Sequence, residues 1–334
     1  MEFIGKGAYG TLVINKGHAQ KKFQKVVHVI QEYAALKYLD DCLHIVHGKG
    51  VNYEKKELQM ELYEMSLRVW MNNHKCCMEC VYQIIHDILC GLVEIQDRGL
   101  SHSDIKPGNI LIKLNPLKAV LADLGFVSLA KYSKQQRTAP NYHEQNIVND
   151  QKHDMYSFGL CFMELIYGIK PVVSHTYDDY SRLIDKKVDK NHQDLIKRLM
   201  SQHRHKRPLA REVLSILFNE TPLMFIRFKH DYSQYDDCYH LHDLIKMHCK
   251  KLNINRGIYG YQALLMYLNK HKEHEKIIPY YICALIIILA SVFSQKTPSL
   301  TDITMQCQVQ DHRKIYHALH KLTNDNLFLK CLYS

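Results

Sequence analysis

The stretch His102-Ser103-Asp104-Ile105-Lys106-Pro107-Gly108-Asn109-Ile110-Leu111-Ile112, read with Asp123-Leu124-Gly125, decides how this chain is interpreted. Its first part places a carboxylate, an ammonium group and a carboxamide at fixed offsets before an apolar strand. A second apolar run, Ala119 to Ala122, then leads to another carboxylate, that of Asp123. The plain alternative is that the string is only a turn before a strand.

This arrangement resembles the catalytic loop and metal-binding turn of the eukaryotic protein kinase family, with H-S-D for the usual H-R-D and D-L-G for D-F-G. The resemblance implies that Asp104 accepts the proton of the acceptor hydroxyl and that Lys106 steadies the moving phosphate of ATP. It also implies that Asn109 and Asp123 hold Mg²⁺ as hard oxygen ligands.

Length and composition favour a globular protein of two domains. The chain has 334 residues, of which 46% are hydrophobic and 23% charged, and a formal charge of +10. The positive charge is scattered, which predicts a solvated surface that favours acidic partners and carries no specific nucleic-acid motif.

The segment Met1-Glu2-Phe3-Ile4-Gly5 lacks a signal-peptide pattern, and the 11 cysteines are irregularly placed. We therefore expect a reducing compartment, cytoplasmic or nuclear.

Two local features are interpreted as ordinary structure, without a zinc site or a membrane span. The segment His74 to Cys80 contains a single C-x-x-C without a second pair at zinc-ligand spacing, so it predicts free thiols near a helix start. The most apolar stretch, Tyr280 to Phe293, is too short for a membrane span of about 20 residues. A buried helix and no membrane contact are expected there.

The N-terminal glycines predict a hairpin. Gly5-Lys6-Gly7-Ala8-Tyr9-Gly10 is a G-x-G-x-x-G, a weak signal alone, but Thr11 to Ile14 follow it as a strand and not as a helix. In such a turn, backbone N–H groups can approach phosphate oxygens without an intervening Cβ atom. The kinase resemblance then implies nucleotide contacts from Gly5, Lys6, Gly7, Gly10 and Leu12.

A lysine and a glutamate are expected to pair behind these glycines. His18-Ala19-Gln20-Lys21-Lys22-Phe23 is similar to the family's V-A-I-K segment, which assigns Lys21 to the nucleotide phosphates, with Lys22 as its rival. An apolar stripe from Val26 to Leu39 then predicts a helix that carries Glu32. The resemblance implies that Glu32 pairs with Lys21 and that the enzyme is inactive when the pair is broken.

The segment Leu58 to Tyr63 resembles the strand and hinge that join the two kinase lobes. Met60 would guard the adenine pocket, and the backbone from Glu61 to Tyr63 would bond the base; an ordinary strand is the alternative. From Glu79, apolar residues recur at spacings of three and four, which predicts a long helix that ends at Arg98-Gly99.

Two departures from the family pattern stand out. Ser103 replaces the arginine that commonly binds a phosphate on the activation loop, so we expect loop phosphorylation not to be the main switch. Ala139-Pro140-Asn141 stands where the family has A-P-E. The ion pair expected with Arg207 is thereby reduced to a hydrogen bond, unless Glu144 substitutes.

The kinase resemblance covers residues 3 to about 218. Within it, Asp154-Met155-Tyr156-Ser157-Phe158-Gly159 resembles the start of the lower lobe's central helix, where Asp154 would bond the backbone of the catalytic loop. Lysine two residues after Asp104, followed by proline, is the form found in serine/threonine kinases. That resemblance gives the substrate class.

The remaining chain predicts a linker, 219–237, and a helical domain, 238–334. Residues 241–252 and 258–268 carry amphipathic stripes, Ile277 to Phe293 is apolar nearly all round, and Ser299 and Asp311 begin further helices. The run Ala284 to Gln295 resembles part of a cyclin box, although Val292 and Gln295 replace the lysine and glutamate that cyclins use toward their kinase. A generic helical bundle is the alternative.

The sequence therefore predicts an α+β, bilobal kinase fold in residues 1–218, followed by an all-α, cyclin-like bundle. We expect an ATP- and Mg²⁺-dependent serine/threonine protein kinase that the bundle regulates in cis by packing near the Val26–Leu39 helix. The alternatives are a pseudokinase scaffold and an adaptor whose bundle binds a separate kinase in trans. Expected partners are protein substrates and a cell-cycle or transcription-related protein. A compact kinase fused to such a module is also reminiscent of genes of large DNA viruses, which would place it in an infected host cell.

Overall fold

The computed structural model describes residues 2–6, 10–73, 77–129, 142, 150–220, 245, 249–250, 257–271, 278–293, 299–307, 309 and 311–333. Contacts divide the chain into two compact units. The first unit comprises Met1–Asp41, His47–Leu62 and Arg227–Ser334, so the N-terminal segment belongs with the C-terminal helices. The second comprises Cys42–Val46 and Tyr63–Ile226.

The first unit contains a five-stranded antiparallel sheet. Its strands are β1 (Glu2–Lys6), β2 (Gly10–Asn15), β3 (His18–Phe23), β4 (Gly48–Asn52) and β5 (Glu57–Met60), in the order β1-β2-β3-β5-β4. The glycine-rich segment joins β1 to the antiparallel β2, which confirms the predicted hairpin. Lys21 on β3 pairs with Leu12 on one side and Leu58 on the other, so a predicted phosphate-binding side chain lies in the middle of the sheet.

Helix α1 (Val26–Tyr38) is buried on nearly every face. All of its residues except His28 and Lys37 are buried, including Gln31 and Glu32. A surface helix normally buries one stripe, so further elements must cover its outer side. The predicted apolar stripe is present, but it underestimates how much of the helix is covered.

C-terminal helices of the same unit supply that cover. The helices beyond residue 250 are α8 (Gly257–His271), α9 (Ile278–Phe293), α10 (Leu300–Gln306), α11 (His312–Asn324) and α12 (Asn326–Tyr333). Helix α9 is central, in contact with α8, α10, α11 and α1. Helices α11 and α12 also contact α1.

The predicted buried helix and helix starts are confirmed. Residues Tyr281 to Val292 are each at most 5% exposed, and no helix among the described ranges is long and apolar enough to cross a membrane. Ser299 and Asp302 form the capping box of α10, and the side chain of Asp311 accepts from the first N–H groups of α11. The stripe predicted over 241–252 lies largely outside the described residues.

The second unit is mainly helical. Its helices are α2 (Leu67–Asn73), α3 (Met78–Asp97), α4 (Gln151–Tyr167), α5 (Tyr177–Lys187), α6 (Lys190–Leu199) and α7 (Ala210–Phe218). Short strands β6 (Met65–Ser66), β8 (Ile110–Leu114) and β9 (Leu117–Leu121) form one sheet, and β7 (Leu100–Ser101) pairs with β10 (Ser128–Leu129). The predicted long helix α3 ends at Asp97 with Arg98 as its C-cap, and Gly99 follows with a φ of 73°. Glycine adopts this left-handed backbone without steric cost.

Candidate active site

The loop between β7 and β8 gathers the three groups that the sequence predicts to act together. Asp104 is 1% exposed, and its Oδ2 atom accepts from Lys106 Nζ and from Asn109 Nδ2, each at 2.7 Å. Asn109 Nδ2 also donates to the backbone carbonyl of Asp104 at 3.0 Å. Lys106 and Asn109 thus both hold the Oδ2 atom of Asp104, and the side-chain carbonyl oxygen of Asn109 points away from that atom.

His102 joins this loop to the strand that precedes Asp123. The His102 ring is buried; its Nε2 atom lies 3.1 Å from the Ala122 carbonyl, and the Asp104 N–H donates to Nδ1 at 3.3 Å. Burial lowers the pKa of His102 below its usual value. A neutral ring protonated on Nε2 satisfies both contacts, so His102 fixes the backbone of Asp104.

Asp154 binds the backbone of the same loop. Near the start of α4, its two carboxylate oxygens accept from the backbone N–H groups of His102 and Ser103, each at 2.7 Å. Burial raises the pKa of Asp154 to about 7. Ser103 has a φ of 68°, a left-handed conformation that is uncommon outside glycine. The two hydrogen bonds offset the cost of that backbone.

Asp123 follows β9 in a left-handed conformation of its own, with a φ of 62°. The chain enters a short 3-10 turn directly after it, Leu124–Phe126, and two buried side chains, those of Leu124 and Phe126, anchor the turn. The Ala122 N–H donates to the backbone carbonyl of Asn109 at 2.9 Å. Backbone hydrogen bonds therefore tie the Asn109 and Asp123 segments together in the second unit.

In the first unit, the predicted lysine and glutamate lie next to each other. Lys21 Nζ is 2.7 Å from Glu32 Oε2, and the two side chains are 14% and 1% exposed. Lys22, the rival candidate, is 64% exposed and lies 4.0 Å from Glu57. A buried ion pair of good geometry restricts its lysine far more than an exposed one does. Of the two lysines, Lys21 is thus the one that pairs with Glu32, and its contact with the nucleotide phosphates stays a prediction.

The predicted nucleotide contacts from the glycine segment lie on and between β1 and β2. Gly5 and Lys6 end β1, Gly10 begins β2, and Gly7 lies outside the described residues. A Cβ atom on Gly10 would be 2.1 Å from the Lys22 carbonyl oxygen, so no other residue fits there without movement of β3.

The predicted hinge follows β5. Met60 is the last residue of that strand and is 8% exposed. The Glu61 N–H donates to the His47 carbonyl at 3.0 Å. Any backbone bond from Glu61 to an adenine base therefore has to come from its carbonyl. Tyr63 is the first residue of the second unit's long segment.

The segment where the family has A-P-E, Ala139 to Asn141, lies outside the described residues, as does Glu144. Arg207 itself is 1% exposed. Its Nε donates to the Ser201 carbonyl at 2.8 Å and its Nη1 to the Lys152 carbonyl at 3.2 Å, while the guanidinium lies 5.0 Å from the centre of the Tyr156 ring. Backbone carbonyls and an aromatic ring thus contact the buried guanidinium group of Arg207.

Sequence reasoning missed a second charged cluster, formed by Arg68, Tyr142 and Glu164. Glu164 lies ten residues after Asp154 on an otherwise apolar part of α4, and a carboxylate in that position is the one available signal. Arg68 and Tyr142 carry no motif.

Comparisons with known proteins give one family and several kinases at low identity. The protein kinase domain family matches residues 3–218 of the chain. A Wee1-like protein kinase of Oryza sativa subsp. japonica is 29% identical over 216 residues, covering 60% of this chain and 40% of the relative. An interferon-induced, double-stranded RNA-activated protein kinase of Mus musculus is 25% identical over 260 residues, covering 65% and 50%. A probable serine/threonine-protein kinase of Encephalitozoon cuniculi is 26% identical over 231 residues, covering 64% and 42%. The chain thus spans half or less of the length of these curated relatives.

Proposed function

Because the chain belongs to the protein kinase family, we propose that it is an active enzyme that transfers the terminal phosphoryl group of ATP to serine or threonine hydroxyls of proteins. The observation that carries this proposal is the Asp104 group, in which a buried carboxylate is held by Lys106 and Asn109 at 2.7 Å. A carboxylate that is buried and fixed in position by two donors suits the removal of a proton from an acceptor hydroxyl. Lysine at position 106, followed by proline, supports the serine/threonine class.

The residues of the loop fit a divalent cation. Asn109 directs its amide nitrogen toward Asp104, which leaves its carbonyl oxygen as a ligand, and Asp123 offers a carboxylate. Both are hard oxygen donors, the type that Mg²⁺ prefers. When bound, the cation neutralises charge on the phosphate oxygens. Asn109 and Asp123 would hold it, Asp104 would accept the hydroxyl proton, and Lys106 would steady the transferred phosphate.

The Lys21–Glu32 pair supports nucleotide binding in the first unit. An ammonium group 2.7 Å from a buried carboxylate has a fixed position, as required of a group that neutralises the α and β phosphates of ATP. Gly10 allows the close approach of β2 and β3 on which that position depends.

Transfer of radiolabel from ATP to a generic basic protein tests this function. The wild-type chain should label the substrate and Asp123→Asn should not, because the substitution removes a charged cation ligand. A pseudokinase, the main alternative, would give equal and negligible labelling for both proteins. Phosphoamino-acid analysis of the product tests the serine/threonine class.

We also propose that the C-terminal helices, a cyclin-like module by the resemblance of α9, regulate the kinase in cis through α1. Three contacts within the first unit support this. The Tyr33 hydroxyl donates to Asn324 Oδ1 at 2.6 Å, the Tyr53 hydroxyl lies 2.6 Å from Thr323 Oγ1, and the rings of Tyr38 and Tyr333 stack with centroids 4.5 Å apart. Helices α11 and α12 thus contact both α1 and the loop between β4 and β5.

The physical consequence concerns Glu32. Helix α1 carries Glu32 on one side and the Tyr33 and Tyr38 contacts on others, so a shift of α1 would move the carboxylate away from Lys21. Covalent linkage keeps the helices at an effective concentration of order millimolar, so even weak docking is populated. The module would thus replace phosphorylation of the activation loop as the means of positioning α1.

Deletion of residues 219–334 should lower kinase activity. Because deletion also exposes apolar residues of α1, the point variant Asn324→Ala provides a milder test: it removes the partner of Tyr33 and leaves the apolar packing intact. Unchanged turnover in both proteins would contradict regulation in cis. The adaptor alternative predicts instead that residues 219–334 alone capture a separate kinase in a pull-down.

We further propose that the protein acts in the cytoplasm or nucleus, with protein substrates and a cell-cycle or transcription-related partner, in a cell infected by a large DNA virus. The irregular cysteines and the compact, fused organisation support this setting. Fractionation of cells that express a tagged full-length chain tests the compartment, and recovery in a secreted fraction would contradict it.

A further inference from the structure

Two cysteine side chains meet at the start of helix α3, in the C-x-x-C segment that the kinase motifs do not use. Cys77 is the N-cap residue of α3, and Cys80 lies three residues later. Their Sγ atoms are 2.8 Å apart, and the Cys80 N–H donates to Cys77 Sγ at 3.4 Å. Residues three apart on a helix lie on the same face. The start of α3 thus holds two thiols in direct contact.

The pair is accessible from solvent. Cys77 is exposed and Cys80 is partly exposed, whereas the thiols of Cys42 and Cys161 in the same unit are buried. Within the described ranges, no third His, Cys, Asp or Glu side chain joins the pair in a metal-binding group. The described geometry thus favours a reaction of the two sulfurs with each other.

The two cysteines differ in reactivity from a third on the same helix. Hydrogen bonds from the Cys80 thiol and backbone N–H hold the pKa of the Cys77 thiol below its usual value, although the Glu79 carboxylate acts against them. Burial and nearby carboxylates raise the pKa of the Cys90 thiol to about 12. The thiolate is the attacking form of cysteine. Cys77 is therefore the attacking thiol, and Cys90 is an unreactive reference on α3.

We propose that Cys77 and Cys80 form a redox modification site that exchanges with low-molecular-weight disulfides such as oxidised glutathione. The Cys77 thiolate attacks one sulfur of the external disulfide, forms a mixed disulfide and releases one thiolate. Cys80 then loses its proton to solvent, attacks Cys77 Sγ, closes the Cys77–Cys80 bond and releases the second thiolate. In total, two electrons and two protons pass from the protein dithiol to the external disulfide, which leaves as two thiols.

The dithiol and the proposed phosphoryl-transfer groups lie at opposite ends of α3. The helix has 20 residues and is therefore about 30 Å long. Its last residue, Asp97, leads into β7 and the loop that carries Asp104. Exchange at the start of α3 is thus a second property of the chain, which does not depend on the proposed kinase activity. In a reducing compartment, such a bond is transient, as redox-sensing disulfides are.

The test exposes the reduced, full-length chain to oxidised glutathione, blocks the remaining thiols and analyses the peptides by mass spectrometry. Cleavage with trypsin yields one peptide, residues 76–98, that contains Cys76, Cys77, Cys80 and Cys90. We expect the wild-type peptide to lose two hydrogen atoms, with the bond between Cys77 and Cys80, and to regain them in dithiothreitol.

Single substitutions separate the two roles. Cys80→Ser should stop at the mixed disulfide, so that Cys77 retains one glutathione. In that variant, Cys77 should be modified at least about tenfold faster than Cys90, because its thiolate fraction is larger. Cys77→Ser should keep the helix start, since serine is a good N-cap residue, but should form no internal bond. Cys76→Ser and Cys90→Ser are the matched controls and should close the bond at the wild-type rate.

Any of four results would overturn the redox site. These are an unmodified wild-type peptide, a wild-type peptide that retains glutathione, a bond that involves Cys76 or Cys90, and stoichiometric Zn²⁺ that the wild type holds and Cys77→Ser loses. None of them bears on the proposed kinase activity, which is measured by transfer of phosphate. A chain that closes the bond but transfers no phosphate would overturn the proposed function alone.

Discussion

Removal of the Tyr53 hydroxyl tests whether the C-terminal helices hold α1 and the β4–β5 loop in the position that the proposed activity requires. Tyr53 is 3% exposed, and its hydroxyl lies 2.6 Å from Thr323 Oγ1. Thr323 donates its own proton to the Leu319 carbonyl at 2.7 Å. Since the threonine proton is committed, Tyr53 is the donor of the pair. Burial raises the pKa of Tyr53, so the phenol keeps its proton throughout the physiological pH range.

The expected cost of Tyr53→Phe follows from these contacts. The substitution removes one buried, neutral hydrogen bond, worth about 1 kcal/mol, and the Thr323 proton keeps its partner. For a chain of 334 residues, that loss lowers Tm by about 1–2 °C. If the pair also sets the active position of α1, the same free energy lowers the active fraction by up to about fivefold.

The assay pairs thermal unfolding with initial rates of phosphoryl transfer. Tyr180→Phe is the matched control: Tyr180 is 2% exposed, and its hydroxyl bonds the backbone of Val172 in the second unit. Both variants should lose similar stability, but only Tyr53→Phe should lose activity at a temperature at which both are folded. Thr323→Val should add little to Tyr53→Phe, since the two changes remove one contact. Equal rates for the two tyrosine variants would refute the link between the helices and catalysis.

Three further predictions concern the site itself. Glu32→Gln should lower turnover at least about tenfold in steady-state kinetics with little change in fold, because Lys21 loses the charge of its buried partner. Gly10→Ala should lower Tm and raise KM for ATP, since its Cβ atom would meet the Lys22 carbonyl oxygen at 2.1 Å, whereas Gly50→Ala, with only a contact at 3.7 Å, should resemble wild type. His102 has a lowered pKa in the folded chain, so as pH falls below about 6.5 the unfolded state binds a proton that the folded state does not. Stability should then fall by up to about 1.4 kcal/mol per pH unit, and His102→Gln, followed by denaturant unfolding at pH 7.5 and 5.5, should lose less than wild type.

Local patterns in the sequence account for much of the fold. The apolar periods over 26–39 and 79–95 predict α1 and α3, and the glycines at 5 to 10, followed by a strand, predict the β1–β2 hairpin. The loop from His102 to Asn109 follows a recognisable motif, whereas the left-handed backbones of Ser103 and Asp123 are findings of the structure. In these segments, residues close in sequence determine the structure.

Long-range contacts explain what the sequence did not reveal. The Tyr53 and Thr323 hydroxyls meet across 270 residues, and Arg68 meets Glu164 across 96, with no periodic pattern to connect them. The last helix, Asn326–Tyr333, was missed because Asp325 interrupts the apolar stripe of α11. Asp325 accepts from the Phe328 N–H at 2.8 Å, so the same residue that ends one helix begins the next.

Transfer of radiolabelled phosphate from ATP, measured for the full-length chain beside Asp104→Asn, tests the central claim most directly. Asparagine keeps the size of the side chain but cannot accept the hydroxyl proton, so we expect turnover to fall at least about a hundredfold while the variant still binds ATP. Equal transfer by the two proteins, or none by either, would contradict the assignment of Asp104 as the proton acceptor of an active kinase.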